Sequence, residues 1–377
     1  RGMMRMPDCI RVPDVLLPRE GIDRTKWAVV ACDQFTSQPE YWDEAERIVG
    51  GAPSTLRLIH PEARLLQRPD EEPAEEIHRA MRGYLAGNVF APARRQFVLT
   101  ERTTRSGRRL GLMVLVDLAA YDYTPGSRPL IRPTEGTVVS RLPARVRVRS
   151  GAALELPHLM LLADDPQRTL IEPLYAQREK FEKLYDFELM LGGGHLRGWA
   201  VDDADGVLAA MDRLPSLQGD DPILFAVGDG NHSMAAARKC WLEHPTERNR
   251  YMLAEVVNLY DESLRFEPIH RLLRGEGLDA VWRKAAERGV RLDGGDVRQV
   301  QPFLDETLDP SVQVDYIHGA QAMENLAAQP GCRGIALKAI AKETLFPSLK
   351  GGKTLPRKAF SMGEAQEKRY YMEAREI

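Results

Sequence analysis

The chain has 377 residues, 43% hydrophobic and 28% charged, with a net charge of −3 and a pI near 6.3. That length supports a large core divided into two or three domains or lobes, and the composition excludes a disordered chain. The charge balance gives no general attraction to nucleic acid or to anionic membranes. No apolar run approaches the ~18 residues of a membrane span. The opening Arg1-Gly2-Met3-Met4 has no signal-peptide core, so the expected location is the cytoplasm. Cys9, Cys32, Cys240 and Cys332 are too scattered for a zinc site or a redox pair and are expected as buried free thiols.

Along the chain, residues 7–20 contain several prolines and read as an extended opening segment. Trp27 to Cys32 reads as a first strand, ending at Asp33-Gln34-Phe35-Thr36-Ser37. A helix over 39–48 follows, with Pro39 suited to its first turn. Helical spacing returns over 72–87, where Ile77, Met81 and Leu85 share a face. Residues 97–100 and 110–116 form a hairpin around Arg105-Ser106-Gly107-Arg108, with Arg102, Arg105, Arg108 and Arg109 as its solvated tip. His158 to Leu162 is a short strand. Residues 169–191 read as a long helix stopped by Gly192-Gly193-Gly194, followed by a strand over 196–201 and a helix over 207–214.

Ile223 to Val227 is a short apolar run with β-branched and aromatic members, which reads as a buried strand. It breaks at Gly228-Asp229-Gly230 and gives way to helix-forming residues through Leu242. In this strand–turn–helix unit Asn231 or Ser233 is placed to cap the helix, and the first-turn amides can face an anion. Asp229 and His232 sit in the turn. On local sequence alone the unit reads equally as an ordinary connection in which Asp229 orders the backbone. Strands follow at 252–259 and from Phe266. Residues 278–330 read as an α/β insertion, with helices at 279–288 and 321–328 and a strand at 312–317. Gly351-Gly352-Lys353-Thr354 is not a phosphate loop, because Pro347 stands where the first glycine is required. Residues 370–374 read as a last strand. The domain plan is a mixed α/β core over 1–275, an insertion over 276–335, and a C-terminal segment over 336–377 that returns to the core.

Five short segments carry a resemblance. Asp229-Gly230-Asn231-His232-Ser233 resembles the D-G-H-H-R signature of a bacterial family of unknown function, related to ParB, sulfiredoxin and free-serine-kinase proteins. Asn231 replaces the first histidine of that signature, and Ser233 replaces the arginine, the residue suited to bidentate phosphate contact. Asp33 and Ser37 match a P-Y-D-V-x-S pattern, and Glu135 and Thr137 match R-H-E-x-T. Pro268, His270 and Arg271 match P-T-H-R, and Pro356 and Lys358 match M-P-x-K-S-T. The matches run from Asp33 to Lys358 in the family's order.

The resemblance implies an α/β fold of mixed, α+β-like character: a ParB/sulfiredoxin-like core enlarged by further lobes. It implies a small-molecule phosphotransferase related to free-serine kinases, using ATP or ADP with Mg2+. Glu135 is the candidate base, Asp229 holds the metal or the acceptor, and His232 joins them as a catalytic residue. Asn231, Ser233, His270, Arg271 and Lys358 contact the cofactor, while Asp33, Ser37 and Thr137 contact the substrate. Two other readings stand beside it: a nucleotide- or metabolite-sensing protein without turnover, and a metal-dependent hydrolase. The expected partner is a small molecule, with neither nucleic acid nor membrane; a homodimer is the oligomeric option.

Overall fold

The computed structural model describes residues 9–68 and 72–377; Arg1-Gly2-Met3-Met4 and the start of the proline-bearing segment lie outside them. The fold is mixed α/β. The chain divides into two compact units, Arg1–Leu264 with Glu364–Ile377, and Arg265–Gly363.

In the first unit nine strands form one sheet: β1 (Ile10–Arg11), β2 (Phe97–Thr104), β3 (Gly107–Asp117), β4 (Ile131–Arg132), β5 (Met160–Ala163), β6 (Lys183–Leu189), β7 (Gly194–Val201), β8 (Phe225–Asp229) and β9 (Tyr251–Asn258). Their order is β4-β8-β5-β9-β3-β2-β7-β6, with β1 also pairing with β3. The β4/β8 and β5/β9 pairs are parallel and the others antiparallel. Helices α1 (Pro39–Val49), α2 (Ala74–Ala86), α3 (Leu142–Arg149), α4 (Ala204–Asp212) and α5 (Asn231–Glu243) belong to this unit.

Alternation along the strands feeds two cores. Leu99, Leu112, Val114 and Val256 face a core with Met211 of α4 and Met234 and Ala237 of α5. Val98, Met113 and Leu253 face another with Trp27, Trp42 of α1, Met81 of α2 and Tyr371. Both faces of the sheet are therefore covered. That is why residues 110–116 are almost continuously apolar rather than alternating.

A second constraint is ionic. Arg369 is buried between Glu255 of β9 and Glu373, and its Nε donates to the Pro157 carbonyl at 3.1 Å. Burial opposes its charge, but the two glutamates hold it protonated. Thr100 donates to Glu255 at 3.0 Å, and the Tyr185 hydroxyl donates to Glu373. Gly111 on β3 is required here, because a Cβ would collide with Glu255 Oε1 and Thr100 Oγ1. Two hairpin arginines add to the anchorage. Arg102 donates to the carbonyls of Gly193, Gln366 and Lys368 at 2.7, 2.7 and 3.0 Å, and Arg109 to that of Glu367 at 3.0 Å. Burial and the neighbouring Arg109 pull Arg102 down to about 9.

The second unit has a four-stranded antiparallel sheet: β10 (Phe266–Arg274), β11 (Gln313–His318), β12 (Cys332–Ile335) and β13 (Phe360–Met362), all pairing with β10. It carries helices α6 (Asp279–Glu287), α7 (Val297–Thr307) and α8 (Ala320–Ala327).

Several expectations are corrected. Residues 169–191 are not a long helix: a short helix at Glu172–Ala176 gives way to β6, which makes a hairpin with β7. The glycine run is that hairpin's turn, with Leu191, Gly192 and Gly194 at positive φ, rather than a helix stop. Trp27 closes a short helix begun at Arg24, and beyond it the chain makes one isolated bridge, Val30 to Tyr370, rather than a strand. Side chains supply what a partner strand would: Thr55 Oγ1 donates to the Trp27 carbonyl at 2.8 Å and accepts from Val29 N–H at 3.3 Å. The expected last strand at 370–374 is reduced to bridges, and the strand assigned there is Arg375–Glu376. Arg102 and Arg109 are buried instead of solvated, because they face the C-terminal segment; Arg105 and Arg108 are exposed. None of the four cysteines is in a disulfide, but only Cys9 and Cys240 are fully buried; Cys32 and Cys332 are partly buried.

Replacing Arg369 with alanine should strand Glu255 and Glu373 in the interior. The expected loss is about 3–5 kcal/mol of stability by urea denaturation, and Arg369→Lys should recover only part of it.

Candidate functional site

The end of β8 and the start of α5 build the centre of the site. Asp229 is the last residue of β8, and Gly230, at φ 93°, precedes α5 as its N-cap. A side chain at Gly230 would be strained by that φ and would press on the Leu159 backbone at 3.2 Å. The expectation that Asn231 or Ser233 caps the helix is not met. Gly230 takes the cap position, and no side-chain hydrogen bond closes it. The positive end of a 13-residue helix is thus uncapped by a side chain.

Three segments meet this turn. The first is the loop of Glu135 and Thr137. Thr134 Oγ1 donates to the Val227 carbonyl at 2.8 Å, Asn231 Nδ2 donates to Thr134 Oγ1 at 3.3 Å, and the Val138 amide donates to His232 Nε2 at 3.2 Å. These bonds fix the loop beside the turn and use His232 and Asn231 as struts. Glu135 and Thr137 are half-buried. Asn231 is 7% exposed, and its Oδ1 has no hydrogen-bond partner.

The second segment is the C-terminal one. Lys368 Nζ lies 3.4 Å from Asp229 Oδ2. Three residues on, Tyr371 places its hydroxyl 2.8 Å from His158 Nδ1, where it also accepts from the Cys32 amide at 3.1 Å. The third is the turn after Cys32. His158 Nε2 is 3.1 Å from Ser233 Oγ and 3.9 Å from Asp33 Oδ2. Burial would raise the Asp33 carboxyl, but His158, Gln34, Arg145 and Lys368 together hold it below the ordinary range. Asp33, Asp229 and Lys368 therefore share one electrostatic neighbourhood, with His158 and Ser233 at its edge. Ser37 is exposed at the end of its turn.

Sequence reasoning missed His158, Lys368 and Tyr371. His158 carried a signal, a titratable side chain at the head of a short apolar run. Lys368 and Tyr371 carried none, because only the anchorage of Arg369 brings them here.

The remaining expected residues lie in the second unit. Arg271 is fully buried, and its guanidinium donates to Gln301 Oε1 and to the carbonyls of Ile269, Arg357 and Lys358, all at 2.6–3.1 Å. His270 is buried and accepts the Leu337 amide at Nδ1 at 3.0 Å. Lys358 is exposed, with φ 55°. Within that unit these groups hold β10 against the 357–358 turn.

Among the described residues no group of three or more His, Cys, Asp or Glu side chains is arranged to hold a metal ion. Magnesium needs no such group, since one or two carboxylates plus substrate phosphates suffice. No helix among the described residues is long and apolar enough to cross a membrane.

The mixed α/β fold, with polar groups gathered at a strand–helix turn, is that of an uncharacterised domain family. The family model described as "Protein of unknown function (DUF1015)" matches residues 16–375, and the chain belongs to that family. The search of curated proteins finds no match. Among solved structures, the chain is similar to a variant of a free serine kinase in complex with AMP: 12% identity, 69% of this chain, 91% of that chain, TM-score 0.40. It is also similar to a variant of a free serine kinase in complex with ADP: 13% identity, 69% of this chain, 91% of that chain, TM-score 0.39. A third likeness is to a conserved hypothetical protein from Pyrococcus furiosus: 12% identity, 70% of this chain, 94% of that chain, TM-score 0.37. Likenesses this distant carry no inference about what this chain binds.

Two outcomes follow from the site's electrostatics. The lowered Asp33 carboxyl contributes stability in full above about pH 4, the ordinary carboxylate value, and loses it as pH falls through its lower folded value. Asp33→Asn should therefore flatten the acid limb of the stability–pH curve and change little at pH 7 beyond a constant offset. Burial, and then the charge of Asp33, push the Cys32 thiol up to about 12. Iodoacetamide at pH 8 should leave Cys32 unmodified in the folded protein and modify it on unfolding, as read by peptide mass spectrometry.

Proposed function

We propose that the first unit is a small-molecule phosphotransferase that moves a phosphoryl group from a nucleoside polyphosphate, ATP or ADP, to the hydroxyl of a metabolite. The observation that carries this reading is the convergence of Asp33, Asp229 and Lys368 on the uncapped first turn of α5. Phosphoryl transfer asks little covalent chemistry of a protein. It asks for donors around the phosphates, cations against their charge, and a carboxylate to orient the attacking hydroxyl.

The turn supplies these parts. The amides at the start of α5 face the phosphates, with Ser233 and Lys368 beside them. Lys368 takes the electrostatic part that the arginine of a D-G-H-H-R turn would take, while Ser233 occupies that arginine's position. Asp229 and Asp33 offer hard oxygen ligands, which fit Mg2+; when bound, the metal neutralises charge on the transferring group. Glu135 is the base. The acceptor oxygen bonds to the terminal phosphorus as the bridging P–O bond breaks, the hydroxyl proton passes to Glu135, and the shortened nucleotide leaves. The short matches between Asp33 and Lys358 support a family relationship to ParB, sulfiredoxin and free-serine-kinase proteins, so serine belongs among the hydroxyl compounds tested. His270, Arg271 and Lys358, cofactor contacts by that resemblance, lie in the second unit, where the hydrogen bonds of Arg271 and His270 described above give them structural work.

One observation favours a sensor that binds a nucleotide without turnover: Ser233 provides no charge where the signature has arginine. Phosphorus NMR of the protein with magnesium, ATP or ADP, and a pool of hydroxyl compounds separates the readings. A new phosphomonoester resonance that vanishes in Glu135→Gln, with the fold intact by circular dichroism, is expected. Nucleotide-dependent thermal stabilisation with no new resonance would assign a sensor. Release of inorganic phosphate alone would assign a hydrolase.

A further inference from the structure

A cavity of about 180 Å³ lies within the first unit and reaches the site at Cys32, His158, Ser233 and Tyr371. These four form one polar patch, since the Tyr371 hydroxyl bonds both the Cys32 amide and His158, and His158 bonds Ser233. Much of the remaining wall is apolar and comes from separate elements: Leu58, Met81 of α2, Val148 of α3, Leu154 and Ala236 of α5.

The wall also contains charges, and their arrangement decides what the cavity can hold. Helix α3 contributes Arg145, Arg147 and Arg149. Each is paired with a carboxylate of the same wall. Arg145 pairs with Glu62, Arg147 with Glu72 at 3.5 Å, and Arg149 with Glu155 at 2.5 Å. Glu155 is held further by Arg375 at 3.0 Å and by the Leu253 amide at 2.8 Å. Among the lining residues three guanidinium groups thus meet three carboxylates, and Glu155 is shared with Arg375 outside the lining. A zwitterion such as a free amino acid needs an unspent cation for its carboxylate and an unspent anion for its ammonium. Here it would have to break existing pairs, of which Arg149–Glu155 is buried, and to place its charges against apolar side chains. An uncharged molecule with an apolar body breaks none of them. Its single hydroxyl can reach the His158–Ser233 patch, beside the carboxylate and lysine of the transfer site.

We propose that this cavity holds the phosphoryl acceptor, and that the acceptor is an uncharged alcohol with an apolar body rather than a free amino acid. The proposal rests on the phosphotransferase reading for the word acceptor. The ligand class follows from the cavity itself.

The test uses the whole protein and measures binding before turnover. Saturation-transfer NMR is recorded with 2-phenylethanol, 3-methylbutan-1-ol, glycerol and serine, on the native chain and on Ala144→Phe and Ala152→Phe, which fill the cavity from two positions outside the transfer site. Folding of each variant is checked by circular dichroism and thermal unfolding, and one folded variant suffices. The apolar alcohols should bind on the order of tenfold or more tighter than glycerol or serine, and the filled variants should lose that binding. Serine binding as well as the alcohols would overturn the proposal. So would alcohol binding that persists in a folded, filled variant. Adenosine displacing the alcohols, with its own binding lost in the filled variants, would assign the cavity to the nucleoside and overturn it too. Phosphorus NMR with ATP and magnesium then separates the two claims. Alcohol binding in the cavity without any phosphomonoester would defeat the phosphotransferase reading and leave the ligand class standing.

Discussion

The first unit depends on one buried cation. Arg369 sits between Glu255 and Glu373 with little access to water and forms an ion pair with each. Such a group contributes less net stability than its contacts suggest, because desolvating three charges costs nearly what their attraction returns. Its consequence is positional. The network allows one placement of residues 364–377, against β9, β2 and the strand-free stretch after Trp27. Arg102 and Arg109 add bonds to the carbonyls of residues 366–368 and leave no freedom to slide.

That placement sets the site. Lys368 and Tyr371 flank the anchored arginine closely in sequence, so they reach Asp229 and His158 without ordering themselves. The other contributors are supplied by strand and helix ends: Asp229 by the end of β8, Ser233 by the first turn of α5, His158 by the approach to β5. In a sheet covered on both faces, the ends of strands are where polar side chains can be both held and reached. The bond from Tyr371 to His158 lies beside the short antiparallel pairing of 375–376 with 154–155 and ties the same two stretches together. It orients an imidazole whose other nitrogen faces both Ser233 and Asp33.

Much of the local architecture was legible in the sequence. The apolar runs of β3, β8 and β9 and the 3.6-residue spacing of α2 and α6 are direct consequences of burial, and each of these elements stands where its pattern puts it. The turn at Asp229 was legible because glycine on both sides of an aspartate, between a strand and a helix, has few other uses. The failures have physical causes. Tyr185, Phe187 and Leu189 turn inward between the exposed Asp186 and Glu188, yet the Glu, Lys and Leu content of 183–189 favours a helix, and pairing with β7 overrode propensity. Helix α7 is not among the expected elements; it carries Pro302 inside it, although Val297, Val300 and Leu304 share its buried face. The buried arginines could not be distinguished from a solvated tip, since their partners are carbonyl groups more than ninety positions away. The same distance hid Lys368 and Tyr371.

The sequence separations inside the site have a kinetic meaning. Asp33, His158, Asp229 and Tyr371 come from four well-separated stretches, and closing such loops is slow because chain entropy is lost before any contact rewards it. The site is therefore among the last features to form. It is also lost as a unit: release of the segment around Arg369, with the sheet still standing, withdraws the lysine beside Asp229 and the hydroxyl behind His158 together. In a chain built this way one local opening removes the lysine and the hydroxyl in the same step rather than one at a time.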